Sequence, residues 1–255
     1  MKGMNRLGSL IDHLPSSMLL YRFCRRYVNH FNSENNCDMH SNGELRLLQD
    51  LLPKCTTVFD VGANVGEWSE LALTINPNLN LHCFEPSAAT YYALHSRGLT
   101  GLVVLNHLGL SARPEEKTLY VFADGAGTNS VYRREGLNIS QAQTEKIRLD
   151  TLDAYCHREQ VQQIDLLKID VEGHELDVLK GAKAMLEQGR IQRIQFEYGG
   201  TYIDARILLK DLFDLLLSLY GYRLYKIYPN ALRLIERYDQ VLENFQYANW
   251  LAVKS

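Results

Sequence analysis

From residue 56 onward the chain alternates between short apolar runs and segments with helical spacing. The runs TTVFDVG, NLHCFEP, LVVLNHLG, IDLLKID and IQRIQFEYGG have the length and apolar composition of buried strands. Helical patterns such as GEWSELALTI and SAATYYALHSRG follow most of them. This alternation predicts an α/β fold, a mainly parallel, doubly wound sheet with helices on both faces. In such sheets ligands bind beyond the carboxyl ends of the strands, so functional residues are expected there.

Several segments add to this alternation. SSMLLYRFCRRYVNHF predicts an N-terminal helix followed by a polar loop, so we assign residues 1–42 to a helical extension and 43–255 to the main domain. KTLYVFAD and KIRLDTLDAY predict added strands around the loop DGAGTNS, which is either a cover for the site or an ordinary hairpin loop. HELDVLKGAKAMLEQG and DARILLKDLFDLLLSLYG each predict one helix, and YRLYKIY and NWLAVK predict closing strands.

The composition restricts the classes of function. The chain has 255 residues, is 46% hydrophobic and carries a formal charge of -3, which is typical of a globular protein and gives no basic surface for nucleic acid. No apolar stretch approaches the roughly 18 residues of a membrane helix, and the N-terminus lacks the features of a signal peptide. The five cysteines are scattered without metal-binding spacing, which favours reduced thiols. We therefore expect a cytoplasmic protein with no integral membrane segment and no nucleic-acid partner.

The predicted N-terminal helix is amphipathic. Its apolar side includes Leu20, Phe23, Tyr27 and Phe31, and three arginines within 22–26 lie off that side. Such a helix could pack on its own domain, pair with a second subunit in a homodimer, or touch a membrane surface as a basic amphipathic helix.

Five predicted strands carry an acid or an amide at their carboxyl ends. These residues are Asp60, Glu85, Asn106, Asp170 and Glu197. Because the ends of parallel strands meet at one edge of the sheet, the pattern predicts a shared pocket. The alternative is ordinary local chemistry, with Asp60 and Glu85 as caps and Asn106 as a turn residue.

A small-residue turn follows the first of these strands. Gly62 and Gly66 enclose Ala63, Asn64 and Val65, and small residues let the backbone approach a ligand closely. The turn lacks the G-x-G-x-x-G spacing of dinucleotide sites, which disfavours a nicotinamide cofactor. An acid at the end of the next strand could accept both hydroxyls of a ribose. Together these features predict a nucleoside-like ligand.

The segments FDVGANVGEWS, FEPS, LDTLDAY and LLKIDVEGHELDVLKGA resemble the motifs of FkbM-type methyltransferases over about residues 43–255. The resemblance implies a Rossmann-like class I methyltransferase fold and S-adenosyl-L-methionine as cofactor. It also implies an acceptor hydroxyl on a sugar, glycan or glycosylated natural product. An alternative is a non-catalytic cofactor- or glycan-binding module on the same fold.

The same resemblance implies positions for the parts of the cofactor. The residues around its methionine part would be Asp60, Gly62, Ala63, Asn64 and Gly66. Glu85 would bind the ribose, and Asn106 would lie near the adenine.

The segment KIDVEGHELDVL concentrates ionisable residues after the fourth strand. Methyl transfer to an alcohol needs a base or a metal to assist loss of the hydroxyl proton. We expect His174 to be that base, with Asp170 orienting it or the acceptor and Glu172 as a further catalytic candidate. Alternatively, Glu172 and Glu175 serve only as acids favoured by the dipole at a helix start, Glu175 especially, and His174 is an ordinary residue of that helix start. A rival hypothesis has Asp170 and Glu197 binding Mg²⁺ or Ca²⁺.

Overall fold

The computed structural model describes residues 16–122, 127–134 and 142–255. Within these ranges the α-helices are α1 Met18–Asn32, α2 Glu44–Leu51, α3 Glu67–Ile75, α4 Ala88–Ser96, α5 Leu152–Arg158, α6 Glu175–Lys180, α7 Lys183–Glu187, α8 Thr201–Ala205 and α9 Leu209–Phe213. The strands are β1 Thr57–Val61, β2 Asn80–Phe84, β3 Leu102–Asn106, β4 Gly109–Leu110, β5 Glu115–Val121, β6 Gln143–Asp150, β7 Leu166–Ile169, β8 Arg193–Tyr198, β9 Tyr222–Tyr228, β10 Ala231–Ile235 and β11 Ala248–Lys254.

The main sheet has eight strands in the order β10-β9-β11-β8-β7-β1-β2-β3. The neighbours from β8 to β3 are parallel, whereas β11 runs antiparallel to both β8 and β9. The predicted mainly parallel sheet is therefore confirmed. All the carboxyl ends of β1, β2, β3, β7 and β8 lie at one edge.

The sheet is covered on both faces because side chains alternate along each strand. Val58 of β1 packs in one apolar cluster with Trp68 of α3 and Leu94 of α4. The next residue, Phe59, packs in a second cluster with Tyr155 of α5, together with residues of α6 to α9. The sheet is therefore doubly wound, as predicted.

A small second sheet, in the order β4-β6-β5, is inserted after β3. Its entry and exit lie side by side, because Gly109 pairs with Leu149 and Leu110 with Asp150 in parallel register. The prediction that LDAY continues the strand is wrong. Strand β6 ends at Asp150, and the Thr151 hydroxyl accepts a hydrogen bond from the backbone N–H of Ala154 at the start of α5.

Both long C-terminal helices predicted from the sequence are interrupted. The first divides into α6 and α7, and a side chain on Gly181 between them would overlap the carbonyl oxygen of Ser111. The second is broken at Arg206, whose φ is +57°, before α9 continues into a π-helical turn, Asp214–Leu219. Strand β10, a five-residue strand at the edge of the sheet with no buried residue, was not predicted.

The N-terminal helix is confirmed as α1, and none of its residues is buried. The loop that follows is packed into the main domain, because buried Glu34 forms a 2.7 Å ion pair with buried Lys226 of β9. Glu44, at the start of α2, accepts hydrogen bonds from the side chains of Gln195 and Asn249. Among the described residues, no helix combines the length and apolarity needed to cross a bilayer.

Candidate active site

The turn after β1 is joined directly to the end of β2. The backbone N–H groups of Gly62 and Ala63 both donate to the carbonyl of Phe84 at 3.0 Å. The N–H of Asn64 donates to Oε2 of Glu85 at 3.1 Å. The structure thus brings together the two features from which a nucleoside-like ligand was predicted.

Glycine is required in this turn for two reasons. Gly62 and Gly66 have φ values of +83° and +87°, in the region that side chains disfavour. A Cβ atom on Gly62 would also overlap the backbone carbonyl of Asp170, and one on Gly66 would overlap the side chain of Leu94. The close approach of Gly62 to Asp170 places the glycine turn beside the end of β7.

Asp60 lies beneath this turn and is fully buried. Its carboxylate accepts a 2.7 Å hydrogen bond from the Ser69 hydroxyl and a 3.1 Å bond from Nζ of Lys168. Lys168 is also 3.5 Å from Asp170. Burial opposes the charge on Lys168, but Asp60 and Asp170 raise its pKa above the usual value. Asp60 is therefore connected to Asp170 at the site through Lys168. The contact predicted between Asp60 and the methionine part of the cofactor stays a prediction.

Glu85 lies at the edge of the proposed cofactor pocket. Its Oε1 accepts a 2.9 Å hydrogen bond from the N–H of Ser87, and its Oε2 accepts the bond from Asn64. Burial raises its pKa to about 7, although these two backbone N–H groups act in the opposite direction. A carboxylate has about four acceptor positions, so two hydrogen bonds leave room for two more. The two remaining acceptor positions fit the two hydroxyls of a ribose, which would donate to them.

Glu145 supports the same turn and was missed by sequence reasoning. It lies on β6, yet its carboxylate accepts hydrogen bonds from the Ser87 hydroxyl at 3.0 Å and the Ala88 N–H at 2.8 Å. It thereby caps the amino end of α4 and connects the small sheet to the pocket. The sequence carried one signal for Glu145, which is the alternation of side chains along the strand. Glu145 lies on the same face of β6 as the buried residues Ile147 and Leu149.

Asn106, the last residue of β3, turns its side-chain amide inward. Its Nδ2 donates to the Cys83 carbonyl at 3.0 Å and to the Tyr155 hydroxyl at 3.2 Å. The Tyr155 hydroxyl is also 2.7 Å from Nδ1 of His82. The amide nitrogen is thus engaged within the protein, and the proximity of Asn106 to adenine stays a prediction.

Three carboxylates meet at the ends of β7 and β8. One oxygen from each of Asp170, Glu172 and Glu197 lies within 4.8 Å of the others. Asp170 is the accessible member, with 37% of its side chain exposed. Burial, followed by the charge of Asp170, raises the pKa of Glu172 to about 8 and that of Glu197 well above the usual value. We call these three residues the acidic cluster, which suits a shared proton or a hard cation.

Part of the β5–β6 connection rests on the acidic cluster. The Ser130 hydroxyl donates to the backbone carbonyl of Glu172 at 2.8 Å, and Arg134 pairs with the Glu172 carboxylate at 3.0 Å. Arg134 also lies 4.0 Å from Asp204 of α8. These contacts place residues 127–134 beside the site. The part of the predicted cover at 124–126 lies outside the described residues.

His174 is placed differently from the predicted base. Its ring is buried, with Nδ1 2.9 Å from the Tyr132 hydroxyl and Nε2 3.0 Å from the Ser111 hydroxyl. Burial, reinforced by Lys117, lowers its pKa to about 4. A general base must reach the proton that it removes, and both nitrogens of this ring are engaged by the protein. The geometry therefore favours an anchoring role for His174 over the base role predicted for it.

The adjacent Glu175 is also held by the backbone. Its Oε1 accepts hydrogen bonds from the N–H groups of Val171 and Gly173, at 3.1 and 3.3 Å. Burial raises its pKa to about 7. This agrees with the interpretation of Glu175 as a residue of the helix start.

Comparison with curated proteins identifies several related chains. The hexuronic acid methyltransferase AglP of Haloferax volcanii is 26% identical over 170 residues, covering 66% of each chain. The 2-O-methyltransferase NoeI of Sinorhizobium fredii is 26% identical over 175 residues, covering 63% of this chain and 71% of NoeI. The antimetabolite synthetase AmbE of Pseudomonas aeruginosa is 31% identical over 165 residues, covering 51% of this chain and 8% of AmbE. The match to AmbE is thus a small part of that protein.

Comparison with solved structures finds similarity at lower sequence identity. The precorrin-6y C5,15-methyltransferase of Geobacter metallireducens has 12% sequence identity and a TM-score of 0.42, with 83% of this chain and 87% of that chain covered. The plantazolicin methyltransferase BpumL, solved with S-adenosylhomocysteine, has 9% identity and a TM-score of 0.44, with 87% of each chain covered. At these TM-scores the structures do not inform the chemistry of the site.

A family model supplies the assignment. The model of the methyltransferase FkbM domain matches residues 60–224, about two thirds of the chain. The matched region includes Asp60, the glycine turn, Glu85 and the whole acidic cluster. The chain therefore belongs to the FkbM methyltransferase domain family.

Proposed function

We propose that the protein is an S-adenosylmethionine-dependent O-methyltransferase that acts on a hydroxyl of a sugar, glycan or glycosylated natural product. The observation that carries this proposal is the hydrogen bond between the Asn64 N–H and Glu85, which unites the glycine turn and the acid into one pocket. The names of the relatives AglP and NoeI, a hexuronic acid methyltransferase and a 2-O-methyltransferase, support a sugar acceptor.

In this proposal the backbone of residues 62–66 surrounds the methionine part of the cofactor, and Glu85 accepts hydrogen bonds from its ribose. Asp60 holds the turn from below through Lys168, and Asn106 borders the adenine. When bound, S-adenosylmethionine supplies the methyl group from a positively charged sulfonium.

The acidic cluster receives the acceptor. Asp170 contacts the hydroxyl, because it is the exposed member and lies against Gly62 of the cofactor turn. The hydroxyl proton passes to a carboxylate of the cluster, and we assign this role to Glu172, whose pKa of about 8 lies near neutral pH. In this proposal Glu172 keeps the catalytic role predicted for it. His174 holds residues 127–134 beside the site through its contact with Tyr132.

The same three carboxylates provide a second way to activate the hydroxyl. All three offer oxygen ligands within 4.8 Å of one another, and hard oxygen ligands suit Mg²⁺. Asp170, Glu172 and Glu197 would hold the ion, which when bound lowers the pKa of a coordinated hydroxyl. The site predicted from Asp170 and Glu197 thereby gains Glu172 as a third ligand.

We also propose a cytoplasmic location for the protein. The free cysteines, which are scattered along the described chain, agree with this location.

The test combines binding with turnover. Calorimetric titration with S-adenosylhomocysteine, with and without Mg²⁺, measures the cofactor site, and a panel of glycosides that includes a hexuronic acid measures methyl transfer. We expect Asp170→Asn to lower kcat by about 100-fold or more while changing the Kd for S-adenosylhomocysteine less than threefold. Asp50→Asn, on the exposed side of α2, is the matched control.

Each outcome has a defined meaning. Binding without transfer to any acceptor would favour the non-catalytic module. A folded protein that does not bind S-adenosylhomocysteine in either buffer would contradict the proposal. Turnover abolished by a chelator and restored by Mg²⁺ would select the metal-assisted route over the direct one.

A further inference from the structure

The apolar side of α1 is uncovered. Leu20, Phe23, Tyr27 and Phe31 share one side of the helix, and all four are exposed. Phe23 and Phe31 are 69% and 65% exposed, values that a folded domain rarely gives two phenylalanines on one helix face. The side chains are therefore available to a partner outside the described part of the chain.

The opposite side of α1 is basic. Arg22, Arg25 and Arg26 lie there, and the helix Met18–Asn32 contains no aspartate or glutamate. The helix carries a formal charge of +3 in a chain of -3, which leaves -6 for the rest. The helix thus combines a net positive charge with an exposed apolar side.

The exposed surface continues onto the edge of the main sheet. Tyr27 and Phe31 of α1, together with Pro229, Leu232 and Arg233, line a groove of about 800 Å³ between the helix and the β9–β10 turn. Arg233 adds a basic group to the wall that β10 forms, beside the apolar Leu232.

We propose that α1 binds the surface of an anionic lipid bilayer. The helix would lie in the plane of the interface, with its aromatic side among the upper acyl chains and its arginines near lipid phosphates. This arrangement is typical of a helix that combines a large apolar side, a basic polar side and low overall hydrophobicity. A two-fold contact between copies through the apolar side would leave Arg22, Arg25 and Arg26 without an anionic partner.

The test uses the full chain and sedimentation with lipid vesicles. One set contains phosphatidylcholine alone, and the other contains equal parts of phosphatidylcholine and phosphatidylglycerol. We expect binding to the anionic set only. The triple change Arg22→Glu, Arg25→Glu and Arg26→Glu should weaken it by at least about 100-fold, given the attraction that each basic residue contributes at an anionic surface. The pair Phe23→Ser and Phe31→Ser should also abolish binding.

The matched control reverses three exposed charges outside α1: Arg113→Glu, Lys183→Glu and Lys210→Glu. It changes the net charge by the same amount and should retain binding. Because α1 has no buried residue, all variants should keep the circular dichroism spectrum of the parent.

Four results would overturn the proposal. These are absence of binding by the folded parent, equal loss of binding in the control, a dimer in light scattering that does not bind vesicles, and binding that appears only after removal of residues 1–15. The third result would assign the surface to a second copy, and the fourth would assign it to the chain's own first residues.

Discussion

At the scale of single residues, two acids at neighbouring strand ends have different tasks. Asp60 is enclosed and ion-paired with Lys168, so its charge is neutralised inside the protein. Glu85 has no cation beside it among the described residues and is held only by backbone N–H groups, and its pKa rises to about 7. Two acids that looked equivalent in sequence therefore have different surroundings.

The raised pKa of Glu85 predicts that cofactor binding depends on pH. Below its pKa of about 7, Glu85 is protonated and offers fewer acceptor positions to a ribose. Its ionised fraction rises with pH, so the Kd for S-adenosylhomocysteine should fall about tenfold between pH 6 and pH 8. Titration calorimetry across this range measures the change. Glu85→Gln should bind more weakly with a flatter profile, and an unchanged profile in that variant would assign the titration to another group.

The contacts of His174 predict the effect of its replacement. Because His174 is bonded to Tyr132, His174→Gln and Tyr132→Phe should each lower stability by about 1 kcal/mol and reduce kcat by similar factors, within threefold of each other. Thermal unfolding and steady-state kinetics on the two variants measure both quantities. A loss of about 100-fold or more in His174→Gln alone would restore the base role that the sequence suggested.

At the scale of the elements, sequence periodicity was sufficient for the parallel strands and not for the points at which neighbouring elements end. Strands such as β1 and β7 are buried on both faces, so their continuous apolar runs are informative. The break at Gly181 depends on a close approach to Ser111, and the cap at Thr151 competes with a strand-like pattern around it. Contacts between distant segments have no local signature.

The residues of the candidate site also fall into two groups, those that the sequence could identify and those that it could not. Residues at strand ends, such as Asp170 and Glu197, could be identified because parallel strands place their ends together. Tyr132 and Arg134 of the insertion could not be identified in this way, because their positions depend on how the small sheet docks on the main one. The base role predicted for His174 took no account of Tyr132, since this partner lies 42 residues away in sequence.

The contact between the small sheet and α4 gives a prediction for Glu145. Glu145→Gln should weaken cofactor binding about fivefold, since it removes a charged cap from the helix that follows Glu85. The effect should appear in the Kd for S-adenosylhomocysteine with little change in kcat. Glu116→Gln, an exposed change on neighbouring β5, is the control and should leave both values unchanged. Equal effects of the two changes would argue against a specific role for the cap.

At the scale of the whole molecule, the structure predicts where the N-terminal extension can be cut. Deleting residues 1–32 removes no buried side chain of the described part, so the midpoint of thermal unfolding should change by less than about 3 °C. Deleting residues 1–42 also removes Glu34 and leaves Lys226 buried without its partner, which should cost about 3–5 kcal/mol. Calorimetric unfolding of the two truncated proteins measures the difference. Equal midpoints would show that the Glu34–Lys226 pair is dispensable and that the division at residue 42 is adequate.

The side-by-side entry and exit of the small sheet have a consequence for protein engineering. Because Gly109 pairs with Leu149 and Leu110 with Asp150, the intervening segment leaves and rejoins the main domain at almost one place. A chimaera that exchanges this segment between family members would need only two junctions, and its length could vary without moving β3 or α5. The donor segment would have to supply an acid equivalent to Glu145 and contacts equivalent to Tyr132 and Arg134. If the proposed function holds, we expect exchange at these junctions to alter acceptor preference and to preserve the cofactor pocket.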